Sequence, residues 1–132
     1  MPYVIEHTDE EWRGMLSADA YRILRRAGTE PAFNNEYWDN HHDGTYVCGG
    51  CGRPLFDSAD KYDSGTGWPS FSRPIDEHAV ETGVDTQLGM ERTEVLCSRC
   101  GGHLGHVFDD GPSPTSKRFC MNSGALVFEP RG

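Results

Sequence analysis

The sequence predicts a mostly β fold of antiparallel strands, with short helices at the front and a metal ion binding distant segments together. Three observations carry this expectation. From Thr45 onward, short apolar runs alternate with clusters of turn residues. Glycine (16) and proline (8) are abundant, which favours many short elements over long helices. Four of the five cysteines fall into two C-x-x-C pairs. At 132 residues the chain can bury one hydrophobic core. A single domain over residues 1–132 is expected, helical at about 8–27 and β at about 45–130.

The helical signals come first. Thr8 and Glu11 have capping-box spacing, and Trp12, Met15 and Leu16 can share one apolar face. Ser17 can cap a second helix, SADAYRILRRA, with Tyr21 and Leu24 turned inward and Gly28 as its stop. The expected strands are TYVC, PLFD, SFSRP, VDTQL, RTEVLC, HLGHVF, RFCMN and ALVF. Turn clusters such as NHHDG, DSGTG, DDGPSP and NSG separate them. No helix-length period joins successive strands, so antiparallel pairing follows.

The formal charge is −9, from 12 basic and 21 acidic side chains. Phosphate backbones and anionic lipid would be repelled, which argues against nucleic-acid and membrane partners. The start, MPYVIEHTDEEW, has no basic region or apolar run, and no stretch of about 18 apolar residues occurs. The expectation is a cytoplasmic protein in a reducing compartment, where cysteines serve metals or catalysis.

Cys48 and Cys51 bracket two glycines, and Cys97 and Cys100 form a second knuckle far along the chain. Zinc accepts four thiolates tetrahedrally, and a two-residue spacer lets a tight turn aim both sulfurs of a knuckle at one ion. Two redox-active pairs are the competing possibility; two knuckles of the same form favour the metal. Four thiolates leave no open position, so the zinc is expected to be structural. His41 and His42 lie nearby in NHHDG and are expected to be solvated loop residues rather than ligands.

Cys120 is the cysteine left over. In RFCMN, period-two alternation puts Arg118, Cys120 and Asn122 on one face and Phe119 and Met121 on the other. A lone cysteine is commonly a small buried hydrophobe. Polar neighbours on its own face favour a reactive thiol instead, with Arg118 expected to stabilise the thiolate. His103 and His106 are three residues apart, so a regular strand would send them to opposite faces. Both reach one site only if the chain kinks, and Gly105 between them permits a bulge. In YDSGTGWPSF, Trp68 is either core or the wall of a small apolar pocket.

Over nearly its whole length the chain resembles the B-type methionine-R-sulfoxide reductases. Five motifs match in order: C-x-x-C, SGxGWPSF, a second C-x-x-C, HLGHVFxDGP and RxCxNS. The resemblance implies two antiparallel sheets in a zinc-stabilised, tent-like arrangement behind N-terminal helices. It implies an oxidoreductase that repairs methionine-R-sulfoxide in oxidised proteins or peptides. By motif, Cys120 matches the nucleophile, which ends as a sulfenic acid, and His103, His106 and Asn122 match residues that bind or protonate the sulfoxide oxygen. Arg118 matches a residue supporting the active-site charge. Trp68, Phe71 and Asp110 are the implied substrate-binding positions: Trp68 walls the methyl group, Phe71 lies near it, and Asp110 helps position the charge. Many members carry a resolving cysteine, in a common version between the two glycines of SGxGWPSF. This chain has Thr66 there. Direct reduction by thioredoxin or another external thiol is therefore expected, in a monomer. The competing readings are a non-catalytic zinc-fold binding module and a different thiol enzyme.

Overall fold

The computed structural model describes residues 5–86, 91–112 and 115–131. Helix α1 (Asp9–Met15) opens with the expected capping box, Thr8 and Glu11 each satisfying the other's backbone N–H. Trp12 is buried and Leu16 packs on the core, but Met15 is 55% exposed and does not belong to the apolar face. Helix α2 (Ala18–Arg26) is capped by Ser17 and buries Ile23 and Leu24. Its left-handed terminating residue is Ala27, one position before Gly28; the Gly28 N–H then reaches back to the Arg22 carbonyl at 2.9 Å.

Nine strands follow among the described residues: β1 (Gly44–Cys48), β2 (Pro54–Asp57), β3 (Lys61–Tyr62), β4 (Ser70–Phe71), β5 (Val80–Asp85), β6 (Arg92–Cys97), β7 (His103–Phe108), β8 (Arg118–Met121) and β9 (Leu126–Pro130). All pairings are antiparallel. They build two sheets, β2-β1-β9 and β3-β4-β8-β7-β6-β5. The expected run VDTQL is strand only through Asp85, and its Gln87 and Leu88 lie outside the described residues. SFSRP contributes only two strand residues, because Pro74 has no N–H for a ladder. The two-residue strand β3 carries too short a pattern for period-two alternation to reveal it.

The core lies between the sheets. Phe56 of β2 stacks on Phe71 of β4 with ring centroids 4.4 Å apart, and Tyr46 of β1 meets Phe71 edge-on at 5.1 Å. All three are fully buried, each contributing about 1.5–3 kcal/mol of hydrophobic stabilisation. The helices cover one end of this sandwich. There Trp12 lies against Gly50, and Arg25 stacks over the Trp12 ring while donating to the Cys100 carbonyl at 3.0 Å.

That end carries the metal site. Cys48 closes β1 and Cys97 closes β6, so the two knuckles belong to different sheets. The same turn closes each: Gly52 N–H donates to Cys48 O and Gly101 N–H to Cys97 O, both at 2.8 Å, with positive φ at both glycines. The four sulfurs lie within 4.8 Å of one another. Their closest pairs run across the knuckles, Cys48 to Cys100 at 3.7 Å and Cys51 to Cys97 at 3.6 Å. Tetrahedral zinc with Zn–S of about 2.3 Å requires sulfurs about 3.8 Å apart, whereas a disulfide needs about 2.05 Å. The arrangement fits zinc and not two redox pairs. Crowding also makes the thiols unequal: hydrogen bonds from Cys100 and Cys48 lower Cys97 to about 2, while its hydrogen bond with Cys100 pushes Cys48 far up. A divalent cation resolves this by accepting all four as thiolates. The zinc is structural, held by Cys48, Cys51, Cys97 and Cys100, and it staples one sheet to the other.

Cys97→Ser should therefore lose bound zinc and at least about 3 kcal/mol of unfolding free energy. Metal content and urea denaturation measure the two losses, and a variant that loses the metal without losing stability would contradict the staple.

Candidate functional site

Strand β8 runs between β4 and β7, with Cys120 directly opposite Ser70 on one side and His106 on the other. Residues opposed in this way share a face of the sheet, so hydroxyl, thiol and imidazole form one cross-strand row. β7 carries the bulge that two histidines at this spacing require. Val95 pairs with Gly105 and Leu96 with His103, leaving Leu104 as the extra residue. The slip brings both imidazoles to one side, 5.4 Å apart and edge-on. Gly105 is needed for a second reason: a Cβ there would sit 2.1 Å from the Cys120 carbonyl oxygen.

A cavity of about 230 Å³ opens over this row, lined by Cys120, His106, Asn122, Arg118, Trp68, Thr66, Arg92 and Phe108 among others. Cys120 is partly exposed. Its thiol is pushed up by burial, against the opposing influence of Arg118 and a hydrogen bond with Thr66. The expectation of a thiol held ionised by Arg118 is thus corrected, because desolvation outweighs the guanidinium. Arg118 is itself fixed by Asp110 through two bonds, Nε to Oδ1 at 2.8 Å and Nη2 to Oδ2 at 3.1 Å, and stacks over Phe108 at 4.4 Å. Asp110 is exposed and does not line the cavity; it acts through Arg118.

His106 Nε2 lies 2.8 Å from Asp85 Oδ2, and Arg92 Nη2 contacts the same oxygen at 3.0 Å. The buried carboxylate orients the ring toward the cavity row. His103 sits behind it, 4% exposed, hydrogen-bonded to the Ile23 backbone and away from the cavity lining. The Asn122 amide is tied at both ends, its Oδ1 accepting from Glu30 N–H at 3.2 Å and its Nδ2 donating to Leu104 O at 3.2 Å. Trp68 forms a wall and is held by its indole N–H, which donates to Glu30 O at 2.9 Å. Phe71 is elsewhere: it is 0% exposed in the core. Since Ser70 shares the face of Cys120, alternation must turn Phe71 to the opposite one. His41 bonds Asp63 in an exposed pair at 2.9 Å, as a loop histidine.

Four contributors escaped the sequence reading. Asp85 and Arg92 face each other across the β5–β6 hairpin, a cross-strand charge pair that register would have flagged. Nothing local announces that Asp85 also holds His106. Glu30 reaches back from the loop after α2, its carboxylate accepting from the Ser123 and Gly124 N–H groups. Burial raises its pKa. Thr66 was visible only as the residue between two glycines. No helix among the described residues is long and apolar enough to cross a membrane.

The SelR domain model matches residues 16–130. A peptide methionine sulfoxide reductase MsrB from Thiobacillus denitrificans is 58% identical over 124 residues, 94% of each chain. Proteins of the same name from Leptospira interrogans and Acinetobacter baylyi are both 53% identical. The first similarity covers 98% of each chain; the second covers 92% of this chain and 88% of its relative.

Burial, reinforced by neighbouring His106, lowers His103 to about 4 from an ordinary 6.5. The unfolded chain then takes up a proton that the folded chain refuses. Stability from this neutral ring is complete above pH 6.5 and is lost as pH falls toward 4. The ring resonances of His103 should stay at their neutral positions down to pH 5 while the thermal midpoint falls. Titration of this ring near its ordinary value would contradict the burial argument.

Proposed function

This chain belongs to the SelR-domain family, and on that premise we propose that it is a peptide methionine (R)-sulfoxide reductase with Cys120 as its nucleophile. One observation carries the residue-level reading: the single cysteine outside the zinc cluster shares a cavity with His106, Asn122, Arg118 and Trp68. A sulfoxide sulfur is electrophilic, but its oxygen leaves poorly until protonated. Cys120 supplies an electron pair to that sulfur, and the sulfur–oxygen bond breaks as oxygen is transferred to Cys120. The thiol proton ends on this oxygen, so thiol plus sulfoxide gives sulfenic acid plus methionine with atoms and electrons balanced. A thiol that rests protonated supplies the proton this step consumes, and His106, oriented by Asp85, is placed to pass it.

Asn122 offers an amide N–H to the oxygen, and Arg118 offsets negative charge as it develops on sulfur and oxygen. The Trp68 wall takes the methyl group. A pocket with a methyl side and an oxygen side is chiral, and the two sulfoxide epimers are repaired by different enzymes. His103 supports the site from behind by packing on His106 rather than by touching the oxygen.

The sulfenic acid is then reduced from outside. The other four cysteines hold zinc, and Thr66 stands where many relatives have a resolving cysteine. One external thiol displaces water from the sulfenic sulfur to give a mixed disulfide. A second thiol releases Cys120 and leaves the reductant oxidised; a dithiol such as thioredoxin supplies both. The substrate is methionine-R-sulfoxide in proteins or peptides, and the protein works as a monomer in the cytoplasm, where the zinc thiolates stay reduced.

Turnover of purified R- and S-sulfoxides tests this. Wild type should reduce the R epimer alone, and Cys120→Ser should lose about a thousand-fold or more of that rate while keeping its zinc. Reduction of S only, or unchanged R turnover in Cys120→Ser, would overturn the proposal.

A further inference from the structure

The loop SGTGWPS carries three hydroxyl residues, Ser64, Thr66 and Ser70. Their oxygens are in register: Ser64 Oγ lies 2.8 Å from Thr66 Oγ1 and 2.7 Å from Ser70 Oγ. At one end Ser70 Oγ is 3.2 Å from the Trp68 carbonyl oxygen. At the other, Thr66 lines the same cavity wall as Cys120, where its hydroxyl favours the ionised sulfur. Ser70 is fully buried directly opposite Cys120, so the chain runs through the interior of the site.

A hydroxyl gives one hydrogen and accepts two, so three in series can point either way. When Cys120 is a thiol, S–H donates to Thr66, Thr66 to Ser64, Ser64 to Ser70, and Ser70 to the Trp68 carbonyl. A thiolate has no hydrogen to give. Every hydroxyl must then turn round: Ser70 donates to Ser64, Ser64 to Thr66, and Thr66 to the sulfur. Only hydrogens move, and the group that loses a donor is a neutral carbonyl. The reversed chain ends on a charge, where each link polarises the next.

We propose that Ser70, Ser64 and Thr66 form a reversible hydroxyl chain that stabilises the ionised Cys120 sulfur, with Thr66 as its direct donor. This rests on the reading of Cys120 as the nucleophile and gives a role to the residue standing where a resolving cysteine is common. The other charged and titratable groups facing the sulfur are Arg118 on its own strand with Asp110 beyond it, His106 on β7 backed by Asp85 and Arg92, and Tyr62 across β4. Arg118 favours the negative sulfur by its charge and as a second donor. Thr66 is the neutral group that meets it directly, and Ser64 does so only through Thr66.

That last relation makes the chain testable. The pH dependence of Cys120 alkylation by iodoacetamide is measured on the zinc-loaded protein, by mass spectrometry of the Cys120 peptide. Thr66→Val should raise the midpoint by about one pH unit, Thr66→Ser should leave it in place, and Ser64→Ala should raise it by less. Unchanged midpoints in Thr66→Val and Ser64→Ala, with zinc retained, overturn the proposal. A shift in Thr66→Val without one in Ser64→Ala overturns the chain by leaving a single donor. Wild-type protein with these shifts but no R-sulfoxide turnover would instead remove the reductase reading and uphold the chain.

Discussion

The ends of β1 and β6 meet at four cysteine sulfurs within 4.8 Å of one another, and this junction joins the three-stranded sheet to the six-stranded one. The aromatic layer of Tyr46, Phe56 and Phe71 packs between sheets that the metal holds in place. From the same junction, β6 sets the register of β7, and β7 that of β8. The helices are tied to it as well, through Arg25 on the Cys100 carbonyl and Trp12 against Gly50. Glu30, in the loop after α2, then anchors both Trp68 and Asn122. A structural ion outside the cavity lining thus governs the geometry within it.

The fifth sulfur answers to a different balance. Burial favours its neutral form, while Arg118 and Thr66 favour the anion. Burial wins in the resting protein, so Cys120 waits as a thiol and is less open to stray oxidants than a free thiolate. In the proposed reaction the sulfoxide oxygen needs a proton, and proton loss from sulfur and proton gain by oxygen share one cavity. His106 contributes direction, since Asp85 fixes its ring, and Arg118 contributes charge, since Asp110 fixes its guanidinium. His106 and Arg118 are each paired with a carboxylate that stays off the cavity wall.

What could be read in advance depended on whether a signal was local. The zinc ligands were legible because two knuckles of one form point to a shared metal ion, and the face of Arg118, Cys120 and Asn122 followed from alternation alone. The bulge in β7 was legible as a requirement, since two histidines three apart can meet only if the strand slips. Its placement at Leu104 was not, and neither was the retreat of His103 behind His106. Phe71 was misplaced because motif adjacency to Trp68 was given more weight than the alternation that seats Ser70 beside Cys120. Asp85 and Glu30 were out of reach for a stronger reason: their roles arise where segments distant in sequence meet, which no window along the chain displays. The sign of the Cys120 shift was misjudged on the same ground, because a nearby arginine is visible in sequence and desolvation is not.

The proposed reaction divides the cysteines, with four sulfurs committed to the fold and one to chemistry. Exposing the zinc-loaded protein to methionine-R-sulfoxide without any reductant, then weighing it intact and by peptide, tests that division most directly. The predicted product carries one added oxygen atom, located on the peptide that contains Cys120, with the zinc still bound. Loss of two hydrogens together with release of zinc would show a knuckle cysteine resolving the sulfenic acid, and would contradict the division.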